Sequence, residues 1–333
     1  MDAKITKKRL GLLLSYDWIK IAAICAAAVV LWLVLLTSLA TRATKGQCFD
    51  IYTYIGVRIS TNELGTLETL REKNALSDDV LDLTTYTLTQ DGYEDMILSV
   101  RFQTGEGDVL LVADTQDTVD ESGQVTQYGG LRDYLSGYMS YSACLNTDLS
   151  GYEDQYGYVY TNYFADCEAY LNGFFFTDGE PDYENGTLDK QIAETRFRER
   201  IKKDKRYKKE EQKAAAALGE FERLENLRTS YVRLKGWVTG DDENAPIRVR
   251  TCNAPADTNG DGVISAGEGT PVQFAFDLSN LENITSLAGN TSNAENMAQD
   301  LCMVIVETGS SSETDMRFEQ ITFLTYLADK YDA

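Results

Sequence analysis

The heptapeptide DVLLVAD, residues 108–114, predicts a buried strand, because five apolar residues run together between two aspartates. Toward the amino terminus the chain alternates between helical and strand patterns. Residues 93–103 (YEDMILSVRFQ) predict a helix, 80–89 (VLDLTTYTLT) a strand, 64–76 (LGTLETLREKNAL) a helix and 48–57 (CFDIYTYIGV) a strand. This β-α-β-α-β order predicts parallel strands with right-handed crossovers, and therefore an α/β domain whose sheet is covered on both faces.

Two residues are candidates for ligand binding because of their place in this pattern. Ligands collect at the carboxyl ends of the strands in such sheets. Tyr54 and Asp114 stand at the ends of two predicted strands, so we expect them near the mouth of any cleft. The alternative is that Tyr54 is an ordinary strand-end aromatic and Asp114 an ordinary turn residue.

The amino terminus contains a segment that can span a membrane. Residues 19–40 hold the apolar run IAAICAAAVVLWLVLLTSLA, about 20 residues long, which matches the ~30 Å hydrocarbon layer of a bilayer. Five basic residues precede this helix and only Arg42 and Lys45 follow closely. The positive-inside rule therefore predicts a single-pass protein of the cell membrane, with residues 1–18 in the cytoplasm and the remainder outside.

A cleaved signal peptide is the alternative for this segment. Ser38, Leu39 and Ala40 supply small residues at the spacing that a signal peptidase accepts. The apolar run is longer than the core of ~7 to 15 residues in typical signal peptides, which favours an uncleaved anchor.

Composition excludes several classes of activity. The chain has no histidine, so Ser-His-Asp and Cys-His catalysis and His-ligated zinc are excluded. Its net charge is -22, with 53 acidic and 31 basic residues, which argues against nucleic-acid binding because that affinity depends on Lys and Arg. The sequence does not single out a catalytic pair of carboxylates, so we expect a protein that is not an enzyme.

The middle of the chain, residues 136–230, has two unusual compositions. Up to residue 187 it is rich in Tyr, Asp, Asn and Gly, which suits either a sugar- or peptide-binding surface or the packing of an ordinary half-buried sheet. Residues 187–230 predict a long helix, with a break at Gly219, and eleven Lys or Arg residues fall between Lys190 and Lys213. This basic helix either lies on anionic lipid headgroups or packs as a solvated helix against the acidic body.

The first part of the body resembles the first lobe of extracellular solute-binding proteins of ABC importers. The resemblance is carried by FDIYTYIGV, by ILSVRFQTGEGDVLLVAD and by YGGLRDYLSGY at 128–138; MRFEQITFLTYLADKYDA (316–333) is similar to a helix of the second lobe. It implies a two-lobed body, with a first lobe at 46–135 and a second at 231–333 in which strand-like pieces return. It also implies a small-molecule, sugar or peptide ligand and an ABC permease as partner.

Residues 257–268, DTNGDGVISAGE, match the pattern of a calcium-binding loop. Such a loop places oxygen ligands at positions 1, 3, 5, 7, 9 and 12 and glycine, here Gly262, at position 6. Pro255, Gly269 and Pro271 disfavour flanking helices, so the segment resembles the lone EF-hand-like loop of dockerins rather than a complete EF-hand. The predicted Ca²⁺ ligands are Asp257, Asn259, Asp261, Val263 through its carbonyl, Ser265 and Glu268.

Three functions fit these features. The first is a membrane-anchored extracytoplasmic calcium-binding protein that acts as a solute-binding-like ligand-binding module. The second is a cell-surface structural or protein-interaction module with a structural calcium site. The third, a carboxylate-based glycoside hydrolase, ranks last, because abundant acids in an acidic protein are poor evidence for a catalytic pair.

Overall fold

A six-stranded mixed sheet forms the centre of residues 43–333 in this computed structural model. The structure describes residues 7–39, 43–88, 93–149, 151–153, 157–308 and 316–332. The strands are β1 Cys48–Thr53, β2 Val57–Ile59, β3 Asp82–Thr87, β4 Val109–Ala113, β5 Thr118–Val119, β6 Val125–Gln127, β7 Phe175–Thr177, β8 Glu180–Pro181, β9 Thr187–Leu188, β10 Arg248–Pro255, β11 Gly269–Asp277, β12 Ala288–Asn290 and β13 Leu301–Ile305. The order in the central sheet is β10-β11-β13-β4-β1-β3.

The parallel half of the sheet is the part that the sequence predicted. β1 pairs in parallel with β3 on one side and with β4 on the other. β13 then joins β4 in antiparallel orientation, and β11 and β10 extend the sheet as further antiparallel strands. An α/β fold with a mixed sheet is therefore the observed architecture.

Alternate residues of the central strands pack into two hydrophobic cores. Phe49 and Ile51 of β1 enter one core, whereas Tyr52 and Tyr54 enter the other. The same alternation holds in β4, where odd-numbered residues join the first core and even-numbered residues the second. Since side chains alternate between the faces of a sheet, both faces are covered, as the run of apolar residues predicts.

Helices cover the sheet and form the rest of the body. They are α2 Thr61–Leu64, α3 Leu67–Glu72, α4 Glu94–Gln103, α5 Gly130–Tyr138, α6 Tyr163–Leu171, α7 Lys190–Arg200, α8 Glu210–Thr239 and α9 Glu319–Tyr331; helix α1, Lys7–Leu39, belongs to a separate unit. Short 3-10 turns occur at Lys45–Gln47, Met139–Tyr141, Thr147–Leu149, Ile201–Lys203 and Ile284–Ser286. Helix α9 belongs to the first core, which confirms that the terminal segment 316–333 contains a helix.

The long basic helix differs from its prediction in three respects. It is divided into α7 and α8 by residues 201–209, and α8 runs without a break through Gly219. The carboxyl half of α8 includes residues 231–239, which the sequence analysis placed among strand-like pieces. Tyr231 and Leu234 are fully buried there and continue the helical spacing of Leu224 and Leu227.

The segments assigned to two lobes contribute to one sheet. β1, β3 and β4 come from residues 46–135, and β10, β11 and β13 come from residues 231–333. β13 pairs along its whole length with β4, from Leu301 opposite Ala113 to Ile305 opposite Val109. Residues 43–333 accordingly form one compact unit, and a two-lobed body is not observed in the described residues.

The other compact unit, residues 1–42, contains the N-terminal apolar helix. Its segment Trp18–Leu35 has a mean hydropathy of 2.4 and is the one stretch of the described chain that is long and apolar enough to cross a membrane. This confirms the apolar helix itself. A helix of this length and composition at an amino terminus suits both a membrane anchor and a signal sequence.

Candidate calcium loop and neighbouring polar sites

The twelve-residue loop 257–268 connects two antiparallel strands of the central sheet. Pro255 of β10 lies opposite Gly269 of β11, so the loop closes the hairpin between them. The flanking elements are strands, in agreement with the expectation that prolines and glycines around the loop disfavour the two helices of an EF-hand. The loop is therefore attached at both ends to the edge of the sheet.

Four of the predicted ligand side chains accept hydrogen bonds from the amides of the loop itself. The carboxylates of Asp257, Asp261 and Glu268 and the amide oxygen of Asn259 take part. The contacts are Gly260 N and Gly262 N to Asp257 (2.6 and 2.8 Å), Asp261 N to Asn259 (2.8 Å), Val263 N to Asp261 (2.8 Å), and Thr258 N, Asn259 N and Ser265 N to Glu268 (2.9, 3.1 and 3.0 Å).

Two further properties of the loop agree with the pattern of a calcium-binding loop. Gly262 has φ +82°, a left-handed conformation that glycine adopts without the steric cost that a side chain would add. The amide of Ser265, together with Thr258 and Asn259, holds the pKa of Glu268 below its usual value. Position 6 and position 12 thus have the conformation and the charge state that a calcium loop requires.

The oxygen atoms of the loop are of the types that bind calcium, but they do not surround a common position. Carboxylate, amide, carbonyl and hydroxyl oxygens in a flexible loop are the ligands that Ca²⁺ takes, at 2.3 to 2.6 Å. Within the described residues no three Cys, Asp or Glu side chains lie close enough together to hold a metal ion. The carboxylates accept from the loop amides instead, so binding would require these side chains to turn from the amides toward the ion.

A buried ion pair connects the loop to the body. Asp117 accepts from the amides of Gly267 (3.1 Å) and Gly129 (2.8 Å) and pairs with Arg132 of α5 (3.1 Å). Arg132 also donates to the carbonyl of Glu268 (2.8 Å), the last residue of the loop. Sequence reasoning missed both charged residues, because more than a hundred residues separate them from the loop and no local pattern marks them.

Tyr54 is not in an open cleft. Its side chain is 1% exposed, and its hydroxyl donates to the carboxylate of Asp133 on α5 at 2.8 Å. Its ring packs edge-on against that of Tyr134. In this structure Tyr54 is a residue of the second core, as the alternative of an ordinary strand-end aromatic supposed.

Asp114 lies at the same edge of the sheet as Tyr54, since β1 and β4 are parallel neighbours, but it has different partners. Its carboxylate receives the Nε of Arg250 at 2.7 Å, and the other side of that guanidinium pairs with Asp300 at 2.7 Å. The side chain of Asp114 remains 16% exposed. Arg250 therefore joins strand β10 to the ends of β4 and β13, whereas Tyr54 bonds to Asp133 on α5.

A small pocket lies at the opposite edge of the sheet. It encloses about 250 Å³, open solvent included, and is lined by Lys45, Gly46, Gly105, Gly107, Asp108, Thr308 and Met316. The carboxylate of Asp108 accepts from the amide of Asp50 (2.8 Å) and from Nε2 of Gln320 (3.2 Å). Burial, with a further contribution from the Asp50 carboxylate, raises the pKa of Asp108 to about 8.

A second collection of acidic residues lies between α7, α8 and α9, and here the partners are arginines. We call it the ionic cluster. The exposure of Glu220 is 4%, of Arg223 7% and of Glu319 4%. The ion pairs are Arg200 to Asp79 (2.7 Å) and Glu220 (2.6 Å), Arg206 to Asp79 (2.9 Å) and Asp204 (2.7 Å), and Arg223 to Glu220 (2.9 Å) and Glu319 (3.5 Å).

Comparisons with known proteins do not assign this chain to a family. No protein-family model matches it, and no curated protein and no solved structure shows significant similarity. Any function must therefore be argued from the residues themselves.

Proposed function

We propose that this chain is a membrane-anchored surface module whose extracytoplasmic body binds calcium in loop 257–268 and interacts with other molecules at the cell surface. The observation that supports it most directly concerns charge. The carboxylates of Asp257, Asp261 and Glu268 have no Lys or Arg partner among the described residues and accept only from amides and one hydroxyl within the loop. In a chain with a net charge of -22, a divalent cation would relieve this uncompensated charge.

The proposed role of calcium is structural. The loop closes the β10–β11 hairpin, and Glu268 is connected through Arg132 to α5, so an ion there would hold the hairpin against the body. Extracellular calcium is near millimolar, and isolated extracellular loops bind with a Kd of ~10⁻⁴ to 10⁻³ M. Such a site stays largely occupied outside the cell and acts as a clip rather than a sensor.

The helix α1 is assigned in this proposal to the membrane. Its apolar segment of 18 residues matches the thickness of the hydrocarbon layer, and basic residues are concentrated before it. An anchor retains the body at the outer surface, where calcium is available. If α1 were a signal sequence, its cleavage would release the body from the membrane. The mass of the mature protein distinguishes an anchor from a cleaved signal sequence.

A solute-binding-like module with a two-lobed body remains a second candidate, because Asp114 is partly exposed at the carboxyl edge of parallel strands, where ligands of α/β proteins bind. It requires the strands at 231–333 to separate from β4, and it requires Tyr54 to leave Asp133. The surface module needs neither change, and we therefore prefer it.

Thermal melting of the full-length protein in nanodiscs, with EDTA and with calcium, tests the calcium site. With a Kd of ~10⁻⁴ M, 10 mM calcium stabilises the body by about 2.7 kcal/mol, a rise of roughly 5 °C in Tm. The variants Asp257→Ala and Glu268→Ala should lose this rise. Glu121→Ala, which removes an exposed acid from the neighbouring β5–β6 hairpin, is the matched control and should keep it.

Equal calcium responses of wild type and both loop variants would refute the calcium site. Pooled sugars, amino acids and peptides, added in calcium, test the second candidate in the same assay. A further rise with one class of ligand, growing with its concentration, would favour the solute-binding module over the surface module.

A further inference from the structure

The basic segment from the last turn of α7 to the start of α8, residues 198–209, divides into two sets of side chains with different surroundings. Arg200 and Arg206 turn inward, whereas Arg198 lies at the surface with its acidic partners. Arg200 and Arg206 pair with Asp79 and other acids of the ionic cluster, and Arg198 pairs with Glu194 and Glu210. The acidic body therefore neutralises the arginines of this segment.

The lysines of the same segment turn outward. Five of them lie within eight residues, all are exposed, and none pairs with a carboxylate in the described part of the chain. They are Lys202, Lys203, Lys205, Lys208 and Lys209, and we call them the lysine patch. The one acid between them, Asp204, is already paired with Arg206. A concentrated positive surface thus stands on a body that is otherwise strongly acidic.

One contact places this patch beside the point where the chain enters the body. Gln47 Nε2 donates to Asp204 Oδ2 at 3.4 Å. Gln47 follows Leu39, the last residue of α1, by eight residues, and a fully extended chain of that length reaches at most ~28 Å. If α1 spans the membrane, the covalent tether keeps Gln47 within this distance of the membrane surface, and Gln47 contacts Asp204 in the middle of the patch.

We propose that the lysine patch binds the anionic phospholipid headgroups of the membrane that α1 spans. This rests on the proposed anchoring of α1. Lysines near an anionic bilayer each strengthen binding by roughly fivefold, and a tether supplies a high local concentration of lipid, so five modest contacts suffice. Because the rest of the body is acidic and repelled by the same surface, the patch would also fix which face of the body turns to the membrane.

Acetylation footprinting of the full-length protein tests the proposal at the lysine Nζ atoms. The protein is placed in nanodiscs of phosphatidylcholine alone or of phosphatidylcholine with 30% phosphatidylglycerol, lipids without amines. We expect the patch lysines to react at least threefold more slowly in the anionic nanodiscs at low salt and equally in both at 0.5 M salt. Lys73, which is exposed and has no carboxylate partner among the described residues, is the internal control and should react equally in all samples.

A double variant, Lys202→Glu with Lys208→Glu, provides the second arm. It should restore the reactivity of Lys205 in anionic nanodiscs, whereas Lys73→Glu should not. The lysine-patch proposal is overturned if the patch lysines react equally in both lipids. If that protein still copurifies with the nanodisc and keeps its calcium response in melting, the proposed function is unaffected. Failure to copurify overturns the anchor and the patch proposal with it. If soluble polyphosphate slows acetylation of the patch lysines and anionic lipid does not, the lipid proposal is overturned, and the patch binds a soluble polyanion instead.

Discussion

The calcium loop and the ionic cluster are both rich in acids, but their carboxylates have different partners. In the loop, Asp257 and Glu268 accept only from amides and a hydroxyl of the loop and lie at the surface. In the ionic cluster, Glu220 is buried and held between Arg200 and Arg223. The first arrangement leaves negative charge uncompensated, and the second neutralises it within the fold.

This difference separates a candidate binding site from a structural one. An exposed carboxylate that faces backbone amides can turn to a cation at little cost, because water replaces the bonds it leaves. A buried carboxylate between two guanidinium groups cannot be withdrawn without leaving charge unpaired in the interior. The number of acidic residues therefore does not by itself indicate a metal site in this protein. The useful distinction is whether the carboxylates accept from backbone amides or from arginines.

The largest expected effect comes from breaking the ionic cluster. Glu220→Gln leaves Arg200 and Arg223 short of a buried counter-charge, so we expect a loss of about 3 kcal/mol in the free energy of unfolding, measured by chemical denaturation. Glu222→Gln, at an exposed acid in the middle of the same helix, is the control and should change it by less than about 0.5 kcal/mol. A loss below 1 kcal/mol for Glu220→Gln would mean that the cluster is solvated in solution.

The pH dependence of this effect has a definite sign. Burial acts to raise the pKa of Glu220, but Arg223 and Arg200 outweigh it and lower the pKa to about 2. A lowered folded-state pKa means that the stability it contributes is present above the unfolded value of 4.5 and is lost as the pH falls toward 2. The difference between wild type and Glu220→Gln should therefore shrink through this range.

Asp108 represents a third case, a half-buried carboxylate in a small pocket that has no arginine partner among the described residues. Its pKa is raised from 3.8 to about 8, so the folded state favours the protonated form. Stability from this group is greatest below pH 4 and is lost as the pH rises toward 8. Asp108→Asn should remove that dependence and, at pH 9, stabilise the protein by about 2 kcal/mol, less than the full shift implies because solvent reaches the pocket.

The side-chain amide of Gln320 can accommodate the substitution Asp108→Asn without loss of its hydrogen bond. Gln320 Nε2 donates to Asp108, while its Oε1 has no partner in the described part of the chain, so a rotated Gln320 amide can accept from an asparagine. Asp78→Asn, at an exposed aspartate, is the control for the loss of one charge. Parallel stability curves for wild type and Asp108→Asn between pH 5 and 9 would show that Asp108 is ionised throughout.

Local sequence patterns predicted one half of the sheet and not the other. β1, β3 and β4 follow from runs of β-branched, aromatic and apolar residues, and the helices between them imply parallel pairing. The pairing of β13 with β4 joins residues almost two hundred positions apart, and no local pattern encodes it. The two-lobed interpretation arose because strands that are distant in sequence were assigned to a separate sheet.

The candidate site shows the same division. The candidate calcium loop is recognisable in the sequence because all its predicted ligands lie within twelve consecutive residues at fixed positions. Asp117 and Arg132, which attach it to the body, come from distant segments and were missed. The expectation for Tyr54 depended on the strand end being open, whereas Asp133 on α5 covers its hydroxyl.

The smallest expected effect tests whether burial, rather than the ion pair itself, makes the ionic cluster important. Asp329 receives Nη1 of Arg233 at 3.0 Å in a two-point contact, but the side chains of Arg233 and Asp329 are 43% and 55% exposed. Exposed ion pairs contribute about 0 to 1 kcal/mol, so Asp329→Asn should cost less than 1 kcal/mol, and 0.5 M salt should abolish the difference from wild type. The contact with Arg233 is as close as those of Glu220, so a loss equal to that of Glu220→Gln would show that geometry and not burial sets the energy. The ionic cluster and the loop would then differ only in the groups that donate to their carboxylates, arginines in the first and backbone amides in the second.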